Sequence, residues 1–261
     1  MEKPDLKQAL AVAREAAQAA DEVAMQYFRG DLQVEIKADE SPVTVADREA
    51  EQAIRSVIGG HYPSHAIDGE EFGRQGSSRC LWLIDPIDGT RSFIRGLPFW
   101  SVQIALMVDD ELVVGVSSAP AFNETAWAHA GGGAWINDRA VSVGRPVELA
   151  RADICFGNLR TLSRSDHWPW MGRIVSEAAR CRGYGDFYSY HRLADGGQDA
   201  VIESDVNILD IAALVVIVRE AGGVFTDLDG QAPGLETTSV LAAAAPLHKQ
   251  LLSSHHEYYS K

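Results

Sequence analysis

The chain has 261 residues, 46% of them apolar, and a formal net charge of −14. That length and composition suffice for one large or two small packed domains. The acidity, with no Lys/Arg cluster to offset it, argues against nucleic acid or an anionic membrane as partner. Cys80, Cys155 and Cys181 are far apart and in no CxxC arrangement, so free thiols are expected rather than a disulfide framework or a zinc site. The opening Met-Glu-Lys-Pro-Asp lacks the pattern of a signal segment and no apolar run reaches the length of a membrane span, which points to a soluble cytoplasmic protein.

From Asp5 to Phe28 apolar residues recur at helical spacing, without Pro or Gly until Gly30, and predict a long amphipathic helix. Val34, Ile36 and Lys37 suggest a short strand and Ser41-Pro42 a break. Thr44 stands three residues before Asp47, as in a capping box, and Ala50, Ala53, Ile54 and Val57 give a second helix its buried face up to Gly59-Gly60. Asp47 reads equally as a helix-start residue and as a site residue. His65 to Asp68 form a brief strand that runs into Gly69-Glu70-Glu71-Phe72-Gly73, either a ligand-presenting loop or a solvated turn.

Leu81 to Ile84 read as a buried strand, and Asp85-Pro86-Ile87-Asp88-Gly89-Thr90 breaks it. Pro86 cannot donate to a sheet ladder, so the strand is expected to end near Asp85, leaving both carboxylates at its carboxyl end, where open α/β sheets place ligands. Two carboxylates so close repel unless a cation neutralises them, and oxygen ligands in a turn suit Mg²⁺. Alone, they are as readily ordinary turn formers.

Trp100 to Val108, Leu112 to Ser118 and Glu124 to His129 then predict an antiparallel meander with a turn at Asp109-Asp110. A second half begins near Arg151, with a strand at Ile154 to Phe156, a helix over 171–180, another over 187–194 and a strand over 200–203. Residues 210–221 are apolar nearly all round and predict a buried helix with Asp210 at its start, a position Asp fills readily as a cap. Late strands follow at 224–226 and 240–243.

Gly69-Glu70-Glu71, Asp85-Pro-Ile-Asp88-Gly-Thr90 and Asp210 followed by Glu220-Ala-Gly-Gly223, in this order, resemble the inositol monophosphatase family of metal-dependent phosphatases over almost the whole chain. The resemblance implies an α/β fold, a layered αβαβα sandwich, in which residues 1–150, an α+β half, carry the metal motifs and 151–261, an α/β half, cover the substrate, the two forming one unit. It implies two or three Mg²⁺ ions held by Glu70, Asp85, the Ile87 carbonyl, Asp88 and Asp210. It further implies that Thr90, paired with Asp47, and Glu70 position a metal-activated water for in-line attack on a phosphate monoester, whose oxygens meet Gly89, Thr90 and Arg91. Arg91 reads as well as a surface residue. The family forms homodimers.

Within the family, Asp88-Gly-Thr-Arg-Ser-Phe and Gly185-Asp186-Phe187-Tyr188 look like the histidinol-phosphatase branch, and Leu209 stands where inositol enzymes usually have Trp. Histidinol phosphate carries an ammonium group, which Asp186 and Glu203 could pair with; otherwise each is a surface acid or a cap. Inositol-1-phosphate, 3′-phosphoadenosine 5′-phosphate and fructose-1,6-bisphosphate are the alternative substrates, and a catalytically silent binding protein is the remaining alternative. A haloacid-dehalogenase-like reading fails because its two aspartates are two apart, whereas Asp85 and Asp88 are three apart. A calcium loop at Asp227 fails because Thr238 stands where it needs Glu.

Overall fold

The computed structural model describes residues 4–30, 34–36, 42–145 and 147–259; Met1 to Lys3, Lys37 and Ser41 lie outside the described residues. Helix α1 (Leu6–Tyr27) is capped by Asp5, whose carboxylate accepts from the amides of Lys7 and Gln8 at 2.9 and 3.3 Å. Its inner face is mostly alanine, with Ala9, Ala13, Ala16, Ala20 and Ala24 fully buried, so it can lie close against its neighbours. Strands β1 (Val34–Ile36) and β2 (Pro42–Thr44) pair antiparallel. Pro42 thus opens a strand, a position that tolerates a missing N–H, instead of only breaking the chain. Helix α2 (Val45–His61) runs through Gly59 and Gly60, because Ile54 and Ile58 are fully buried and hold its last turns.

Strands β3 (Ala66–Gly69), β4 (Gly73–Gln75), β5 (Cys80–Asp88), β6 (Ser101–Val108), β7 (Glu111–Ala119), β8 (Glu124–His129), β9 (Ala134–Ile136) and β10 (Arg139–Val141) form an eight-stranded sheet, with the short helix α3 (Thr90–Ile94) after β5. Its order is β10-β9-β8-β7-β6-β5-β3-β4. In this sheet β3 and β5 pair in parallel; β6 to β8 are the expected meander, which the structure extends antiparallel to β5 on one side and to β9 and β10 on the other. Asp109 and Asp110 both take left-handed backbones, φ 50° and 64°, the turn geometry that suits hairpin twist.

The rest of the chain supplies β11 (Asp153–Phe156), α4 (Leu159–Leu162), α5 (Trp168–Glu177), β12 (Arg180–Arg182), α6 (Asp186–Ala194), β13 (Ala200–Ser204), α7 (Ile208–Glu220), β14 (Gly223–Thr226), β15 (Ser239–Ala244) and α8 (Ala245–Tyr259). The helix expected over 171–180 starts and ends earlier, and Arg180 begins a strand instead. These strands form a five-stranded sheet ordered β12-β11-β13-β15-β14.

Alternation along the strands sorts the core into layers. Trp82 and Ile84 of β5 join α1 and α2 residues such as Ala13 and Ile54 in one cluster. Leu81 and Leu83, on the opposite face, join α6 and α7 and, beyond them, Val201, Phe225 and Ala242 of the second sheet. That sheet's far face, with Ile154, Ile202 and Leu241, packs on Trp170 and Ile174 of α5 and Leu247 and Leu251 of α8. The order is helix pair, sheet, helix pair, sheet, helix pair, which is the αβαβα sandwich. Helix α7 is apolar on every side because both its faces meet sheet. Cys80, Cys155 and Cys181 are free thiols, the first two buried. No helix among the described residues is long and apolar enough to cross a membrane.

Candidate active site

Strand β5 does not stop at Asp85. Its pairing with β6 resumes at Asp88 opposite Ser101, with a register shift between Asp85 and Asp88. Pro86 sits inside that irregularity, where a residue without an N–H costs no ladder bond. The shift lets two aspartates three apart serve one point: Asp85, Asp88 and Asp210 each offer a carboxylate oxygen, all within 4.8 Å of one another. The amide of Ile87 donates to Asp85 Oδ1 at 2.9 Å and fixes that carboxylate. Gly89, at φ 87°, then turns the chain into α3.

Two helices orient an aspartate by the same construction, one towards Thr90 and one into this cluster. In α2, Thr44 is the cap and Asp47 the third helical residue, with Asp47 Oδ2 accepting from Thr44 N at 2.8 Å and Thr44 Oγ1 at 2.6 Å. Asp47 Oδ1 is left to face Thr90, whose hydroxyl lies 3.4 Å from it and 3.1 Å from the Ile87 carbonyl. In α7 the cap is Asn207, not Asp210. Asp210 is the third residue, and its Oδ2 accepts from Asn207 N at 2.8 Å. Asp47 thus serves the helix start through one oxygen and turns the other towards Thr90.

Glu70 follows β3; its amide donates to the Ile84 carbonyl at 3.2 Å and its side chain is within hydrogen-bond reach of Asp85. Arg91 is exposed on α3. Burial first, then the charges of Glu70, Asp88 and Asp210, push Asp85 well above the usual carboxylate range. Burial, followed by Asp186, Asp210 and Glu203, does the same to Asp88. Burial also raises Asp210 and Asp186 to about 6 and Asp47 above its ordinary value. Burial and neighbouring carboxylates thus act together to raise Asp85, Asp88 and Asp210. Crowded carboxylate oxygens of this kind fit a hard divalent cation.

Beside the cluster, a small cavity of ≈ 40 Å³ is lined by Asp88, Asp186, Asp210, Glu203, Tyr190 and Asn158, among others. Asp186 opens α6 with a left-handed backbone, φ 48°, and its Oδ2 would lie 3.4 Å from a Cβ placed on Gly89. Glu203 is 5% exposed, accepts a hydrogen bond from Tyr190 at 2.6 Å and is raised by burial to about 8. Strands β11 and β13 are parallel neighbours, so their carboxyl ends lie side by side. Gly157, just past β11, approaches so closely that an added Cβ would lie 1.7 Å from Glu203 Oε1; no side chain fits there.

Tyr190 and Asn158 were not foreseen from sequence. The first was legible as the residue one turn after Asp186 on the same helix face; the second, as a polar residue just past a strand that would lie beside β13.

A profile of the inositol monophosphatase family matches residues 5–260. A histidinol-phosphatase of Mycobacterium tuberculosis is 39% identical, covering 97% of this chain and 98% of its own. One of Streptomyces coelicolor is 37% identical, covering 98% and 100%. Among solved structures, an inositol monophosphatase from Zymomonas mobilis superposes with a TM-score of 0.87 at 30% identity, covering 97% of this chain and all of that one.

Proposed function

The chain belongs to the inositol monophosphatase family and is a phosphoric monoester hydrolase, and from that premise we propose that it is magnesium-dependent and that its substrate is histidinol phosphate. The observation that carries the substrate is the carboxylate pair Asp186 and Glu203 at the water-sized cavity beside Asp88 and Asp210. A space of ≈ 40 Å³ holds about one water. An ammonium is that small and an imidazole ring is not, so the amine enters while the ring stays at the mouth. A buried carboxylate raised to about 8 gains most from a cation. Relatives named for histidinol phosphate cleavage point the same way.

In this reading Glu70, Asp85, Asp88, Asp210 and the Ile87 carbonyl hold Mg²⁺. Bound there, the cation would neutralise the carboxylates and the phosphate and make water more acidic. The chain's own groups do the rest. The Thr90 hydroxyl has one proton and two acceptors, the Ile87 carbonyl and Asp47; when it donates to Asp47, its lone pairs can accept a hydrogen bond from the attacking water, and as the water's proton moves to the hydroxyl the hydroxyl's own proton passes to Asp47. Glu70 orients that water. The main chain at Gly89 and Thr90, with Arg91, holds the phosphate oxygens, and Asp186 and Glu203 hold the amine, so the leaving oxygen is fixed in line with the attack. On the same reading residues 1–150 carry most of the metal ligands and 151–261 cover the substrate. The enzyme then acts in histidine biosynthesis in the cytoplasm as a homodimer.

The test is phosphate release with Mg²⁺ from histidinol phosphate and, in parallel, from inositol-1-phosphate, 3′-phosphoadenosine 5′-phosphate and fructose-1,6-bisphosphate. A strong preference for the first is expected. Preference for another substrate, or none, refutes the amine pocket; no metal-dependent turnover of any refutes the metal site.

A further inference from the structure

Glu51 lies one turn beyond Asp47 on α2 and is fully buried, yet it is not part of the acidic cluster. Its carboxylate faces the back of the segment that carries Glu70. Oε2 accepts from the amide of Glu71 at 2.7 Å, and Oε1 accepts from the amide of Phe72 at 3.3 Å and from Arg55 Nε at 2.7 Å. Arg55, one further turn along and 9% exposed, donates through Nη2 to the Gly73 carbonyl at 2.6 Å and through Nη1 to Gln75 Oε1 at 3.4 Å. Its guanidinium lies 5.8 Å from the centre of the Phe72 ring. Gly69 makes room for the arrangement, since a Cβ there would lie 2.2 Å from Glu51 Oε1.

We infer that Glu51 and Arg55 are positioning residues that set Glu70 over the metal site, by clamping the amides that follow it to the helix that also presents Asp47. The inference rests on the metal-site reading above. Stability alone does not account for the pair, because apolar side chains of similar volume commonly replace a buried ion pair at no loss. Such replacements could not hold the Glu71 and Phe72 amides. Both oxygens of Glu51 and three nitrogens of Arg55 are engaged, and most of their partners belong to the Glu70 segment.

Glu51→Gln keeps the shape but turns one acceptor into a donor that faces an N–H. The experiment measures Mn²⁺ binding by the electron paramagnetic resonance signal of free Mn²⁺, hydrogen exchange over 70–73, and Mn²⁺-dependent hydrolysis of p-nitrophenyl phosphate. Supporting residues behind metal ligands typically contribute 10–100-fold in affinity, so E51Q should bind Mn²⁺ at least tenfold more weakly and exchange faster at 71 and 72. R55M should follow it and R55K recover part of the loss. Mn²⁺ affinity within twofold of the unmodified chain in a folded E51Q overturns the inference, as does a lower melting temperature with unchanged affinity. If E51Q does not fold, the same criterion applied to R55M decides. Failure to cleave histidinol phosphate would remove the substrate reading and leave this comparison intact. Failure of the unmodified chain to bind Mn²⁺ would remove both the metal reading and the inference.

Discussion

Replacing Glu203 by Gln should separate affinity from stability in opposite directions. The Tyr190 hydroxyl, 2.6 Å from Glu203 Oε2, can donate to the amide oxygen instead, so the local geometry survives. What disappears is a charge. A hydrogen bond to a charged partner contributes about 1.5–3 kcal/mol, and about 1.4 kcal/mol is tenfold. The KM for histidinol phosphate should therefore rise about 10- to 150-fold. The kcat/KM for p-nitrophenyl phosphate, which has no amine, should stay within about threefold. Stability moves the other way. The folded carboxyl is raised from 4.5 to about 8, so its contribution is full below pH 4.5 and is lost as pH rises through 8, by up to about 1.4 kcal/mol per unit. The metal-free variant should thus melt higher than the unmodified protein at pH 8. Steady-state kinetics on both substrates and a thermal melt at pH 8 check this. Equal loss on both substrates, or a lower melting temperature, would show that Glu203 supports the fold and does not meet the amine.

Asp88→Asn removes a ligand charge and also relieves repulsion from Asp186 and Asp210; metal-dependent turnover should vanish while the metal-free melting temperature holds or rises, and near-normal activity would refute the ligand assignment. His255 is 3% exposed and stands 3.0 Å from the His167 ring nitrogen; burial lowers it from 6.5 to about 4. The unfolded chain therefore takes up the proton first, stability falls as pH drops from 6.5 towards 4, and melts across that range should show the decline shrinking in a His255→Phe variant. Asp21 accepts from the Ser118 hydroxyl at 2.6 Å, has a buried oxygen without a partner among the described residues, and is raised by burial from 3.8 to about 7. Its stabilisation is full below pH 3.8 and lost as pH rises through 7, so Asp21→Asn should melt higher than the unmodified protein at pH 8 and differ little at pH 4.

The parts of the fold written in local pattern were legible in advance. The alanine face of α1, the apolar run opening β5 and the hairpin at Asp109-Asp110 each depend on residues within a few positions of one another. What depended on distant partners was misplaced. The strand was expected to end at Asp85 because Pro86 forbids a ladder bond; it continues because a register shift against β6 absorbs the proline. Gly59-Gly60 was read as a stop, yet Ile58 holds the turn from the inside. Asp210 at the start of its helix could also be taken for the cap, a place Asn207 takes. Helix α8 was not foreseen, since over 245–259 polar residues interrupt the helical period and only Leu247, His248, Leu251 and His255 turn inward. At the site, the aspartates three apart in β5 stand out in sequence. The contacts of Thr90 with Asp47, of Tyr190 with Glu203 and of Glu51 with the amides past Glu70 link separate elements, and no local pattern marks them.

The middle layer also fixes an order of events during synthesis. Strand β7 is finished at Ala119, but α7, which covers that face of the eight-stranded sheet, begins only at Ile208. At about 5–20 residues per second the ribosome needs roughly 4–18 s to deliver it. For that interval Leu83, Ala105 and Met107 form a bare apolar wall on a nascent chain. Helix α7 brings no polar side of its own and must find this wall or another like it. The segment that brings Asp210 to the carboxylate cluster is thus also one whose late arrival leaves the newborn protein open to trapping by chaperones or by its own copies.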